Sequence, residues 1–364
     1  MKKILILFAS LSFALTLIAT PLEKLKEEID KSIAKDHIAG VAICVGDLSG
    51  IKFSYAQGMS EKGGNTPMTI DTIIDVASVT KVVATTTALA ILKDRDEIDF
   101  DKPFNKYLPE YMPKLENPPT IREMSAHISG FNNSPYWRDC DGRVMAKTAL
   151  TTHPPAQPRK AYRYSCWNFI LLGFLVENVA QQPLRIFCQN EIFKPLGMSD
   201  SSMGTPIANG QSRYARTITT SKAGEISDPP ARAIYASNLC SGNAGLFTTA
   251  NDLSKFCRMI LGKGKLGNTR ILSEERINEL SKIVFKDTKG NARTFGWNAS
   301  SRLKNFSDKF IYHTGWSGQS VYIDLENNIF AIVLTVRCSH YPNPSAERKV
   351  FAELALEAMQ QQKN

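Results

Sequence analysis

Several features that would point to well-known chemistries are missing from this sequence. Its five histidines, His37, His127, His153, His313 and His340, are isolated, and no H-E-x-x-H occurs, so no zinc centre is expected. Its seven cysteines (Cys44, Cys140, Cys166, Cys188, Cys240, Cys257 and Cys338) are irregularly spaced, with no C-x-x-C. An odd count at this length makes no disulfide framework, and most should be small buried residues. No G-x-S-x-G is present and strand signals do not alternate with helix signals, so a Ser-His-Asp hydrolase lacks support. There is no internal repeat and no low-complexity tract. The formal charge is +9, yet Lys and Arg are dispersed, with no basic block and no aromatic–basic alternation, so nucleic acid is not an expected partner.

Long apolar runs are absent too, apart from one at the start. "MKKILILFASLSFALTLIAT" places Lys2 and Lys3 before a run from Ile4 to Ala19 that only Ser10, Ser12 and Thr16 interrupt. It reads as a signal peptide over residues 1–19, with cleavage after Ala14 or Ala19. The run is short for a full span, and no cysteine follows it to carry a lipid. The expectation is an exported chain, periplasmic or secreted, with no integral membrane span once the signal is removed. The whole chain is 43% hydrophobic and 22% charged, enough to bury a real core.

After the signal, "PLEKLKEEIDKSIAKD" repeats Leu22, Leu25, Ile29 and Ile33 at helical spacing. "AGVAICVGD" and "GIKFSYAQG", joined by "DLSG", form a hairpin signal. "KFIYHTG", "QSVYIDLE" and "NIFAIVLTVR" give three more strands near the other end, followed by a closing helix from about Ala346. Between the two strand groups, apolar segments such as "NFILLGFLVENVA" and "ANDLSKFCRMIL" have helical spacing, separated by Pro-, Gly- and Asn-rich loops. The predicted class is α/β of the α+β kind. A central antiparallel sheet from N- and C-terminal strands is flanked by helices, and an all-helical lobe is inserted between them. One domain of residues 20–364 then has a sheet lobe of about 20–77 and 260–364 and a helical lobe of about 78–259, with a ligand cleft between them.

Three short motifs carry chemistry. In "DVASVTKVVATTTALAIL" the single cation Lys81 stands three residues after Ser78 in an apolar helix, so the two share a face. Burial there would lower the lysine pKa and make it a base for the serine hydroxyl, while the helix start suits a developing oxyanion. In isolation, S-x-x-K more often reads as a helix cap followed by a solvated lysine. "YRYSCWNF" puts Tyr164 just before a buried-type helix, where it would face the cleft as a proton shuttle or serve only in packing. In "IYHTGWSGQSVYID", His313, Thr314 and Gly315 end one strand. They can donate to a substrate carboxylate or carbonyl, and the N–H of Trp316 can complete an oxyanion hole, although H-T-G by itself is an ordinary strand-to-turn passage.

Taken in order, S-x-x-K, Y-S-x and H-T-G resemble the serine β-lactamase and penicillin-binding-protein superfamily. The likeness is to its class C β-lactamase-like branch, which includes D,D-carboxypeptidases, D-aminopeptidases and esterases. Further stretches carry it, among them "FDKPFNKYLPEY", "TIREMSAHISGF", "IFKPLGMSDS", "NAGLFTTANDLSKF" and "HTGWSGQSVYIDLENN". The resemblance implies a β-lactamase/transpeptidase-like fold and an acyl-enzyme on Ser78. Lys81 would help deprotonate the serine, and Tyr164 would serve in proton transfer. His313, Thr314, Gly315 and Trp316 would bind substrate, with the N–H groups of Ser78 and Trp316 as the oxyanion hole. It implies no metal or organic cofactor, and a small-molecule or peptidoglycan-derived substrate: a cell-wall D-amino-acid peptide, a small ester or a β-lactam. There is one departure. The second motif is usually Y-x-N, and here Cys166 stands where Asn would hold the lysine and the substrate amide. Cysteine is a weak donor and a weak acceptor. The alternative is therefore a catalytically impaired cell-wall-binding protein on the same fold.

Overall fold

The structure, a computed structural model, describes residues 19–111, 116–132, 161–204, 212–218, 221–299, 303–338 and 345–362. Most of the expected signal lies outside the described residues, as does Cys140. The first helix, Pro21–Ala34, begins at a capping box, in which the Thr20 hydroxyl accepts from the Glu23 amide and the Glu23 carboxylate accepts from the Thr20 amide.

The hairpin follows as β1 (Ile38–Asp47) and β2 (Gly50–Gly58). Next come three short strands, β3 (Ile74–Asp75), β4 (Ser202–Met203) and β5 (Leu246–Thr248), which pair in the order β3-β5-β4. Two short hairpins pair separately, β6 (Lys265–Leu266) with β7 (Thr269–Arg270) and β8 (Phe285–Lys286) with β9 (Ala292–Arg293). The last strands are β10 (Phe310–Thr314), β11 (Gln319–Asp324) and β12 (Ile329–Arg337). The main sheet is five-stranded, in the order β10-β11-β12-β1-β2, with antiparallel pairing throughout. β1 pairs directly with β12, so the two ends of the chain form one sheet, as the sequence predicts.

Alternation along β1 explains its nearly unbroken apolar run. Val41, Ile43 and Val45 join a core cluster with Leu25, Ile29, Phe351 and Leu356 of the two terminal helices, the second being Ser345–Gln361. Ala42 and Cys44 face the opposite side and join the larger cluster with Leu253, Phe256 and Cys257 of helix Ala250–Leu261. Both faces of the sheet are covered, and burying each large aliphatic side chain contributes about 1.5–3 kcal/mol. The segment between the strand groups is mainly helical but not wholly so, since β4 and β5 lie within it.

The opening segment also differs from the single helix expected from Ser78. Ala77–Val79 is a 3-10 turn, Lys81–Thr86 is a π-helix, and only Thr87–Asp94 is α-helical. The run is rich in Val and Thr, which lose side-chain freedom in an α-helix. The Thr87 hydroxyl donates to the Val82 carbonyl at 3.1 Å, five residues back. π-turns of this kind concentrate at functional sites.

Candidate active site

Ser78 sits on a sharp turn at the end of β3. The residue before it, Ala77, has φ +46, a left-handed conformation that costs a non-glycine residue free energy. Three contacts hold it there. The Asp75 carboxylate accepts from the Ala77 amide at 3.0 Å, the Val76 amide donates to the Leu246 carbonyl at 3.0 Å, and the Leu246 amide donates to the Thr80 hydroxyl at 3.0 Å. The turn leaves Ser78 7% exposed, enough to reach the cleft.

Lys81 is fully buried beneath it. Its Nζ donates to Ser78 Oγ at 2.8 Å and to the Asn243 carbonyl at 2.9 Å, and it reaches Cys166 Sγ at 3.7 Å. The aromatic faces of Tyr164 and Phe169 lie 5.2 and 5.8 Å away. Burial pushes the amine pKa down, but interactions with Cys166, Tyr164 and Asp228 outweigh it and the net shift is upward. This corrects the expectation of a lysine pKa lowered by its apolar surroundings. Lys81 rests as an ammonium ion with its protons directed at three acceptors.

Tyr164 precedes helix Cys166–Ala180 and stacks on His127, with ring centroids 4.3 Å apart. Burial, with Arg293 and Lys81 nearby, holds His127 well below its ordinary pKa, so the platform is neutral. Its Nδ1 accepts from the Ser165 amide at 3.2 Å and faces the Asn168 side-chain amide at 3.1 Å. Asn168 also accepts from the Ser129 hydroxyl at 2.6 Å, which commits it to this buried pair and away from Lys81. Burial raises the Cys166 thiol pKa despite Lys81, so the sulfur is a neutral, weak acceptor.

The H-T-G segment closes the other side. His313, at the end of β10, is buried, and its Nδ1 lies 3.1 Å from the Thr314 carbonyl. That contact needs the proton on Nδ1 and leaves Nε2 as an acceptor. Burial, Arg293 and Lys81 hold this histidine well below its ordinary pKa. It is therefore neutral. A β-carbon at Gly315 would lie 2.6 Å from Gln319 Oε1 and 2.7 Å from the Val76 carbonyl, so only glycine lets this strand end pass the nucleophile turn. Arg348 Nη1 donates to the Gly315 and Gln319 carbonyls at 2.6 and 3.0 Å, and Arg337 Nη1 to the Trp316 carbonyl at 2.6 Å, fixing the turn from behind.

All eight candidate residues come together. Ser78, Tyr164, Cys166, His313, Thr314, Gly315 and Trp316 line one cleft of about 320 Å³, with Lys81 beneath. Sequence reasoning missed Asp228 and Asn243. Asp228 lines the cleft and caps helix Pro229–Ala236, accepting from the Ala231 amide at 2.9 Å and from the Asn243 side chain at 3.2 Å. "DPP" is a readable helix-start signal, but it says nothing about a cleft. Asn243 carries no local signal at all.

A buried Ser–Lys pair under a cleft between an antiparallel sheet and helices defines a serine hydrolase of the β-lactamase/transpeptidase type. The comparisons agree: a model of the Beta-lactamase family matches residues 25–354, and the chain belongs to that family. It is 27% identical over 333 residues to a Salmonella gallinarum protein named "Putative D-alanyl-D-alanine carboxypeptidase", covering 80% of this chain and 75% of that one. In fold it is similar to a class C β-lactamase from Rhodobacter sphaeroides (TM-score 0.74, 18% identity, 93% of this chain and 99% of that one). It is also similar to EstCE1, described as a hydrolase with promiscuous acyltransferase activity (TM-score 0.76, 17% identity, 93% and 98%). Among the described residues no helix is long and apolar enough to cross a membrane.

Proposed function

We propose that the protein cleaves an amide or ester bond through an acyl-enzyme on Ser78. The observation that carries this is the 2.8 Å contact between Lys81 Nζ and Ser78 Oγ at the floor of the cleft. The Lys81 ammonium stabilises negative charge developing on Ser78 Oγ. Tyr164, which lines the cleft and interacts with Lys81, relays the proton: its phenol oxygen takes the serine proton as its own hydroxyl proton passes to the leaving alcohol or amine. Ser78 Oγ bonds to the substrate carbonyl carbon as the leaving group departs. The amides of Ser78 and Trp316 hold the oxyanion. Water then attacks the ester carbonyl, and Tyr164 relays the water proton to Ser78 Oγ as the acyl–oxygen bond breaks, freeing Ser78 and the acid.

The substrates we favour are D-amino-acid peptides of the cell wall and small esters. Two features disfavour an efficient β-lactamase: His313 offers no fixed cation to a substrate carboxylate, and Cys166 offers little to a substrate amide. We also propose export, on the pattern of residues 1–19 alone. The reading is tested with p-nitrophenyl acetate and a D-alanyl-D-alanine peptide, each assayed with wild type and Ser78→Ala. It expects turnover of at least one by wild type and of neither by the variant. A wild type that turns over neither, yet binds isolated cell wall, is a binding protein instead.

A further inference from the structure

Asp75 lies three residues before Ser78 and is absent from the mechanism above, yet it is completely buried. Its two carboxylate oxygens accept from backbone amides of different segments. Oδ1 takes the Ala77 amide at 3.0 Å, at the left-handed residue that presents the nucleophile. Oδ2 takes the Ser227 amide at 2.7 Å, in the residue before Asp228 of the cleft wall. Ser227 Oγ lies 3.4 Å from Ser317 Oγ, and Ser317 donates to Gln319 at 2.8 Å, in the turn that follows H-T-G. One carboxylate thus ties the nucleophile turn to the segments on two sides of the cleft.

We propose that Asp75 is a positioning residue for the acylation step, holding Ser78 in its strained turn and in register with the Ser227–Asp228 wall through its two amide contacts. It touches neither substrate nor Ser78 Oγ, so it acts through the backbone. An ionised carboxylate accepts from both amides, whereas a protonated one turns one oxygen into a donor facing an N–H. Burial raises its pKa to about 6, with Asp228 adding to the rise and the Ser227 and Ala77 contacts opposing it. The strand opposite contributes Phe247, and the neighbouring segment Thr217, neither of which titrates in this range. The device is therefore set at neutral pH and released below it.

The proposal rests on Ser78 as nucleophile, and its test separates the two. The rate of Ser78 labelling by a fluorophosphonate, and KM for p-nitrophenyl acetate, are measured from about pH 5 to pH 9 on wild type and Asp75→Asn. Wild-type labelling should fall on the acid side with a midpoint near 6, the value set by burial of Asp75. The variant should label about tenfold more slowly at alkaline pH, show no such acid limb, and keep KM within about twofold. A folded variant that labels at the wild-type rate overturns the proposal, as does one in which only KM changes. A wild type whose labelling stays flat down to the acid end overturns it whether or not the variant folds. Wild type that is never labelled sinks the Ser78 reading itself, and this one with it.

Discussion

Cys166 Sγ lies 3.7 Å from Lys81 Nζ, while the lysine's two oxygen acceptors stand at 2.8 and 2.9 Å. The third ammonium proton therefore has the poorest partner, at the position that also faces the substrate. Cys166→Asn supplies an oxygen to the lysine and an amide to the substrate. Hydrolysis of the D-alanyl-D-alanine peptide should rise about tenfold, equivalent to about 1.4 kcal/mol of barrier, with a smaller change for p-nitrophenyl acetate. Steady-state kinetics on the two substrates checks this, and an equal change on both would show that the thiol does not discriminate between them.

Lys81→Met removes the cation while filling similar volume. Turnover should fall about a thousandfold. Stability should not fall with it, because replacing a buried charge by a hydrophobic side chain is often neutral or stabilising. Thermal unfolding checks the second half. A lowered Tm would mean that the contacts to Asn243 and Cys166 serve folding as much as chemistry.

Gly315→Ala drives a methyl group toward Gln319 Oε1 and the backbone of the nucleophile turn. Overpacking of this kind costs about 1–3 kcal/mol. Because the Val76 carbonyl is backbone, relief must come partly from the turn that presents Ser78. Both Tm and kcat should drop, and a drop in Tm with kcat unchanged would place the strain elsewhere.

Asp75 also makes a prediction about stability. Its folded pKa, about 6, lies above the ordinary aspartate value of 3.8, so its contribution to stability is greatest at low pH and is lost as pH rises between those values. Asp75→Asn does not titrate, so its Tm relative to wild type should rise across that interval and level off above it. Paired melting curves over the same buffers check the sign. The opposite slope would mean that partners in the fold stabilise the Asp75 carboxylate more than burial penalises it.

The fold was legible where periodicity is strong. β1 and β2, β10 to β12 and the terminal helices all announce themselves by alternation or helical spacing. β3, β4 and β5 did not, because each has only two or three residues and pairs across long stretches of chain. The π-helix over Lys81–Thr86 was hidden because weak helix formers signal a poor helix without saying which kind replaces it. At the site, Ser78, Lys81, Tyr164 and the H-T-G segment stood out as motifs. The sign of the Lys81 shift did not, since it depends on Asp228 and on partners brought in by folding. Asn243 reaches Lys81 through its backbone carbonyl, which any residue type would provide.

The proposed reaction requires Ser78 to become covalently modified. Intact-mass measurement of the folded protein after exposure to a fluorophosphonate and, separately, to a labelled penicillin tests it directly, with peptide mapping of the product. A single adduct on Ser78 is expected with at least one probe, abolished in Ser78→Ala and slowed in Lys81→Met. An unmodified protein, or an adduct that persists in Ser78→Ala, would contradict it.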